Sequence, residues 1–394
     1  MLDERERDEL RGLVGGYLAD RSPESAVRAA METADGVDDG LWAGLGVGGL
    51  GLCGLAVPSR WGGEGHTFAE VAVVLGELGR SLACVPYFSS VVLAQSLLLA
   101  CADAAPDGGA ADRWLPRLAA GRARGAVAVV EADGRWEPAS VRTTATPEPD
   151  PTADPDGWRL NGVKHFVVDG HTADVLLMAA RTDDRTGDGT GDGIGIFEVD
   201  AAADGLVRTP MATLDLTRRQ ARLELTDVRA RRVGTAGWDA VRLMLRTAAV
   251  GLAAESVGGM RRVLEMAVDH ARTRSQFGRP IGSFQAIKHK CADMLVATES
   301  ADSLVRDAVA LAASPAPRAP EGDIDDRGVA ASLAHAYCQQ AYLDCASENI
   351  QVHGGIGFTW EHPAQLYYKR AQSSRLLLGD PIWHRALAAE LIDL

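Results

Sequence analysis

A chain of 394 residues is long enough for roughly two or three domains and a large buried core. Its composition, 46% hydrophobic and 24% charged, is that of an ordinary globular protein. A net charge of −14 argues against nucleic acid as a partner, because a phosphate backbone needs a broad basic face. The opening MLDERERDEL is charged where a signal peptide would carry an apolar core, and no apolar run approaches the roughly 18 residues of a membrane span. Six cysteines (Cys53, Cys84, Cys101, Cys291, Cys338 and Cys345) include no C-x-x-C pair and read as reduced core residues of a cytoplasmic protein.

Residues 1 to 122 have a helical texture. The segments TFAEVAVVLGELGRSLA (67–83) and SSVVLAQSLLLACADAA (89–105) place apolar residues at three- and four-residue spacing. From 123 to 235 the period shortens. GAVAVVEA (125–132), WRLNGVKHFVVDG (158–170), DVLLMAAR (174–181), GIGIFEVD (193–200) and QARLELTDV (220–228) read as strands, and Asn161-Gly162 reads as a hairpin turn. TDDRTGDGTGDG (182–193) has no apolar residue and reads as a surface loop. From 236 to 394 the helical period returns, in segments 238–273, 284–313, 325–350, 363–378 and 381–393, with the proline-rich SPAPRAPEGD (314–323) joining two of them. The order predicts an α+β protein: an N-terminal helical domain, a middle β domain and a C-terminal helical bundle.

Two stretches of the bundle carry chemistry. In ARTRSQFGRPIGSFQAIKHKCADM (271–294) a helix ends in Arg272 and Arg274, breaks at Gly278-Arg279-Pro280, and restarts with Ser283 as a plausible N-cap. Basic residues at a helix C-terminus also suit the helix dipole with no ligand involved. In ENIQVHGGIGFTWEHP (348–363) a helix ends in a Gly-Gly-x-Gly turn, which serves as a C-cap or lets a ligand lie on bare backbone beside Gln351.

Together, R-x-x-F-G-x-x-I-x-x-F-Q (274–285) and Q-x-x-G-G-x-G (351–357) resemble the acyl-CoA dehydrogenase family, and the order of helical, β and helical regions resembles it over nearly the whole chain. The resemblance implies a middle β-barrel or sandwich, a C-terminal four-helix bundle, and FAD whose ADP half is held by the neighbouring subunit. Carried over, Arg274 pairs with the pyrophosphate and Phe277 packs near the adenine. Gln285 contacts the cofactor, and Gln351 with Gly354 and Gly355 offers close backbone contact. Guanidinium suits a diphosphate, and glycine permits close approach.

The family's reaction is α,β-dehydrogenation of an acyl-CoA thioester, in which a Glu removes the α-proton. That Glu falls on Leu378; the alternative position on the long helix falls on Ala248, and Ala249 replaces an arginine beside it. Asp380, two residues from the lost Glu, is a substitute base or, more simply, the cap of the last helix. VEADGRWEPAS (130–140) departs from the family's T-E-P-G-x-G-S-D-like turn, Phe166 replaces the Trp that packs on the flavin, and Val168 replaces a hydroxyl that bonds it. The implied protein is a subunit of a heteromeric, cytoplasmic complex, completing the FAD site of a homologous Glu-bearing partner. The alternatives are a homo-oligomeric flavoenzyme using Asp380 and a flavin-free scaffold.

Overall fold

The computed structural model describes residues 2–102, 109–148, 157–182, 193–313 and 325–394. The segments 183–192 and 314–323, read above as loop and proline-rich connection, lie outside them. The helices in chain order are α1 (Glu4–Arg21), α2 (Glu24–Glu32), α3 (Asp39–Leu45), α4 (Phe68–Ser81), a π-helix (Phe88–Ala94) continuing as α5 (Gln95–Ala102), and α6 (Ala110–Ala119). After the strands come α7 (Gly237–Thr273), α8 (Gln285–Ala313), α9 (Asp326–His353), α10 (Ala364–Ser374) and α11 (Pro381–Glu390). Among the described residues no helix is long and apolar enough to cross a membrane. The six cysteines are free thiols, and all but Cys291 are buried.

The chain forms two compact units. One comprises Glu32–His66 and Cys84–Ala248. Its strands are β1 (Gly125–Ala128), β2 (Thr144–Pro147), β3 (Gly157–Val168), β4 (Val175–Thr182), β5 (Ile194–Asp200), β6 (Leu206–Pro210) and β7 (Gln220–Arg232). Pairing runs β4–β2–β3–β7–β5 and returns from β5 to β4, so the sheet closes into a barrel, with β1 on β4 and β6 on β7. Closure removes the free edges that an open sheet would expose. Leu160, Leu176, Met178, Phe197, Leu223 and Val228 fill its interior.

Asn161-Gly162 is not a hairpin. Both residues lie inside β3, where the register against β7 shifts between Leu160 and Gly162. Asn161 Oδ1 accepts the Asp227 N–H, and a Cβ on Gly162 would stand 2.5 Å from the Thr143 hydroxyl. The pair serves a β-bulge, where an extra residue and close approach favour the same residue types as a turn.

The other unit comprises Met1–Met31, Thr67–Ala83 and Ala249–Leu394. Thr67 and Glu70 form a capping box at the start of α4. α4 crosses α7 at glycines: a Cβ on Gly258 would lie 1.8 Å from the Gly76 carbonyl oxygen, and one on Gly79 would lie 2.1 Å from that of Glu255. α9 packs against α8, α10 and α11. Two boundaries differ from the sequence reading. Ser283 sits in a 3₁₀ turn (Ile281–Ser283) and its hydroxyl caps nothing; Ile287 and Lys288 N–H donate instead to the Phe284 carbonyl. α10 ends at Ser374 rather than 378, because Leu376 and Leu377 tighten to i−3 hydrogen bonds and Leu378 turns left-handed (φ 66°).

Candidate functional site

The first motif begins where α7 ends. Ser275–Gln276 pairs antiparallel with Arg279–Pro280 across Phe277 and Gly278, whose φ values are 53° and 76°. Two successive left-handed residues make a primed hairpin turn, a place for Asn-Gly or Gly-Gly rather than for phenylalanine. Holding a non-glycine there costs on the order of 1–2 kcal/mol, and Phe277 gains little burial in return, being 90% exposed. The Phe284 ring stands edge-to-face with it, 6.1 Å away between ring centroids. Arg274 is exposed, and its guanidinium has no ion pair or hydrogen bond among the described residues. Gln285 is also exposed.

The second motif follows α9. The Gly354 N–H donates to the Gln351 and Ile350 carbonyls at φ 65°, so glycine is required there as a C-cap. Gly357 is required too, since its Cβ would come within 2.8 Å of the His353 Cβ. Gly355 has neither reason: its φ is not positive, and a Cβ would meet nothing within 4 Å. No close approach among the described residues therefore calls for glycine there. Gln351 is exposed beside it. The two motifs converge in this unit, because the His270 ring near the end of α7 stacks on His353 at the end of α9, with centroids 4.3 Å apart. A free guanidinium, an exposed aromatic ring, exposed amides and open glycine backbone on one unit fit the ADP half of FAD, approached from outside this chain.

The positions at which a base is expected are apolar. Leu378 is 1% exposed, and its backbone carbonyl accepts from His384 Nε2 at 3.2 Å. Ala248 and Ala249 are buried as well. Asp380 is the N-cap of α11, its carboxylate accepting the Trp383 N–H at 2.7 Å. A capping carboxylate is already engaged with the helix end it stabilises.

In the barrel unit, Val168 is buried and Phe166 is 40% exposed. This segment is held by polar groups that the motif comparison did not single out. Lys164 is fully buried, donating to the Val129 carbonyl at 3.0 Å and to Glu131 Oε1 at 2.8 Å. The same oxygen accepts from Arg142 N, Thr143 N and the Thr143 hydroxyl. Burial pushes the Lys164 ammonium down to about 8, against the pull of Glu131. Burial would raise the Glu131 carboxyl, but Lys164 and Thr143 together hold it below its ordinary value. Asp169 accepts the Ser89 hydroxyl, from the π-helix, at 2.7 Å. Phe166 and Asp169 both have left-handed φ (55° and 54°), so these bonds fix a strained stretch. The sequence signal for the pair was present: one lysine and one glutamate, each embedded in an apolar strand run. A cavity of about 430 Å³ lies beside it, lined by Glu131, Asp133, Ser140, Arg142 and His165.

Residues 4–122 match the acyl-CoA dehydrogenase N-terminal domain and residues 235–392 the acyl-CoA dehydrogenase C-terminal domain. The acyl-CoA dehydrogenase IpdE2 of Mycolicibacterium smegmatis is 34% identical over 376 residues, 95% of each chain. A solved structure of the Tcur3481–Tcur3483 steroid ACAD superposes with a TM-score of 0.82 at 30% identity, covering 99% of this chain and 98% of that one. The ChsE4–ChsE5 complex from Mycobacterium tuberculosis superposes with a TM-score of 0.83 at 28% identity, covering 100% of this chain and 99% of that one. The chain belongs to the acyl-CoA dehydrogenase family.

Proposed function

We propose that this chain is the non-catalytic subunit of a heteromeric, FAD-dependent acyl-CoA dehydrogenase, lending its nucleotide-binding surface to a homologous subunit that carries the catalytic Glu. One contrast carries the proposal: Arg274, Phe277, Gln351 and Gly355 stand exposed, while the base position holds a buried leucine. Arg274 would neutralise the pyrophosphate, Phe277 would cover the adenine, and Gln285 and Gln351 would hydrogen-bond the cofactor. Gly354 and Gly355 would let the backbone approach it. FAD, when bound, supplies the hydride acceptor for the β-carbon of the acyl thioester. Two similar structures are of two-component assemblies, Tcur3481–Tcur3483 and ChsE4–ChsE5, which favours a hetero- over a homo-oligomer. The steroid ACAD, 30% identical, favours a steroid-derived acyl group.

The test is flavin stoichiometry. Purified alone, the chain is expected to carry little FAD. Co-expressed with its Glu-bearing homologue it should yield about one flavin per heterodimer, one nucleotide half-site being supplied by each lending subunit. A fully yellow homo-oligomer oxidising an acyl-CoA without a partner would overturn the proposal.

The surface itself is probed by Arg274→Ala, which removes a charge-assisted contact worth about 1.5–3 kcal/mol and should weaken FAD retention roughly tenfold to a hundredfold. Gly355→Val should act similarly by blocking approach. It is the cleaner glycine to change, because a Cβ there meets nothing within the chain, whereas Gly354 needs its positive φ. Retention equal to wild type in both variants would show that these residues do not touch the cofactor.

A further inference from the structure

Beside the two motifs lie three neighbouring imidazoles. The His270 and His353 rings are 4.3 Å apart at 30°, and the His353 and His362 rings are 4.3 Å apart at 47°. They come from three places: the last turn of α7, the last residue of α9, and the loop before α10. Each carries part of a motif or abuts one. The His270 carbonyl accepts the Arg274 N–H, and His353 lies between Gln351 and Gly354.

The hydrogen bonds fix where two of the rings carry a proton or a lone pair. His353 Nδ1 lies 2.8 Å from the Asn349 carbonyl oxygen, which can only accept, so Nδ1 carries the proton. His362 Nδ1 accepts the Ala364 N–H at 3.1 Å, which supplies one of the partners the start of α10 lacks. That nitrogen therefore holds a lone pair, and protonating it would set donor against donor. Cations on His270 and His362 would also repel one another.

We propose that His270, His353 and His362 form an imidazole cluster that holds the Gln351–Gly355 turn against the Arg274 end of α7, and that protonation of His270 and His362 releases this surface. The inference rests on the lending role above and names the residues that position it. They are positioning residues, acting through the motif segments and not on the reacting atoms.

The surrounding charges set the direction. His270 is held below its ordinary value by burial, then by His353 and Arg274. His362 is lowered by burial and His353, and further by His270 and Arg28 of α2, with Glu24 of α2 pulling the other way. A histidine whose value is lower in the closed arrangement binds protons more readily once released. Acid therefore favours release, with the effect setting in as pH falls below about 6.5.

The test uses the complex with its Glu-bearing partner and reads free FAD across about pH 7.5 to 5.5. Wild-type retention should fall, on the order of tenfold, across this range. His270→Phe keeps a ring in the cluster without a charge, and His362→Asn keeps an acceptor for the Ala364 N–H. Both should hold flavin at acid pH where wild type lets it go. His353→Ala should weaken retention at every pH, and His353→Asn, whose amide N–H stands in for Nδ1–H, should restore it at neutral pH. Hydrogen exchange of residues 350–358, corrected for intrinsic rates, gives a second readout on the chain without flavin: protection at neutral pH, lost in acid, and kept in His270→Phe. Parallel pH profiles in wild type and both neutral variants, or exchange indifferent to pH, would overturn the inference. If the complex holds no flavin at any pH, the lending role fails, and the exchange measurement alone then decides whether the cluster holds the turn.

Discussion

Lys164→Met is expected to lower the unfolding free energy by about 3–5 kcal/mol, seen as a lower urea midpoint with an unchanged slope. The lysine is fully buried, and Glu131 keeps its charge largely through it. Removing one partner of a buried pair leaves the other charged in a poor solvent. The loss should be recovered in part by adding Glu131→Gln. A neutral carbonyl oxygen still accepts from Thr143, and no buried charge then remains; the two effects should thus be non-additive.

The pH dependence separates the partners. The Glu131 carboxyl lies lower in the fold than in the unfolded chain, so its contribution is present above about 4.5 and is lost as acid titrates it. Lys164, lowered to about 8, costs stability at neutral pH, and that cost fades as the amine deprotonates above about 8. Acid sensitivity should therefore diminish in the Glu131→Gln variant. A Lys164→Met protein as stable as wild type would mean that the Phe166–Asp169 strain is held by Asp169 and Ser89 without the pair.

What the sequence shows of this fold is what period and punctuation encode. The 3.6-residue period places α4, α7, α8, α9 and α11 within a few residues of their observed ends, and alternation or apolar runs place five strands. β2 and β6 are missing from that reading because each is short and most of its positions are exposed. The π-helix at Phe88–Ala94 is invisible for a related reason: wider turns keep the same apolar residues inside, so composition does not mark them. Asn161-Gly162 misleads because bulges and turns select the same residues. The site divides similarly. Arg274, Phe277, Gln285, Gln351, Gly354 and Gly355 are legible as linear motifs, whereas Lys164–Glu131 and the three histidines are brought together only by tertiary packing.

In the proposed complex, removing the Glu of the partner subunit should cost a factor of about 10²–10⁴ in turnover, the usual worth of a positioned base. Leu378→Met and Asp380→Asn in this chain should cost nothing comparable. The substitutions follow from the geometry. Leu378 is 1% exposed with φ 66°, so truncation to alanine would cost about 2–5 kcal/mol of stability and could mimic lost activity. Methionine keeps the volume, at a usual cost below about 1.5 kcal/mol. Asparagine caps a helix about as well as aspartate, so Asp380→Asn should keep a bond to the Trp383 N–H while losing the carboxylate. It asks only whether a proton is taken at position 380, since an amide cannot accept one at neutral pH. A fall of about a hundredfold in an intact, flavin-loaded Asp380→Asn complex would make this chain catalytic. Unchanged turnover would leave the partner's Glu as the base, with this chain's last turn serving only to cap α11 and bury Leu378.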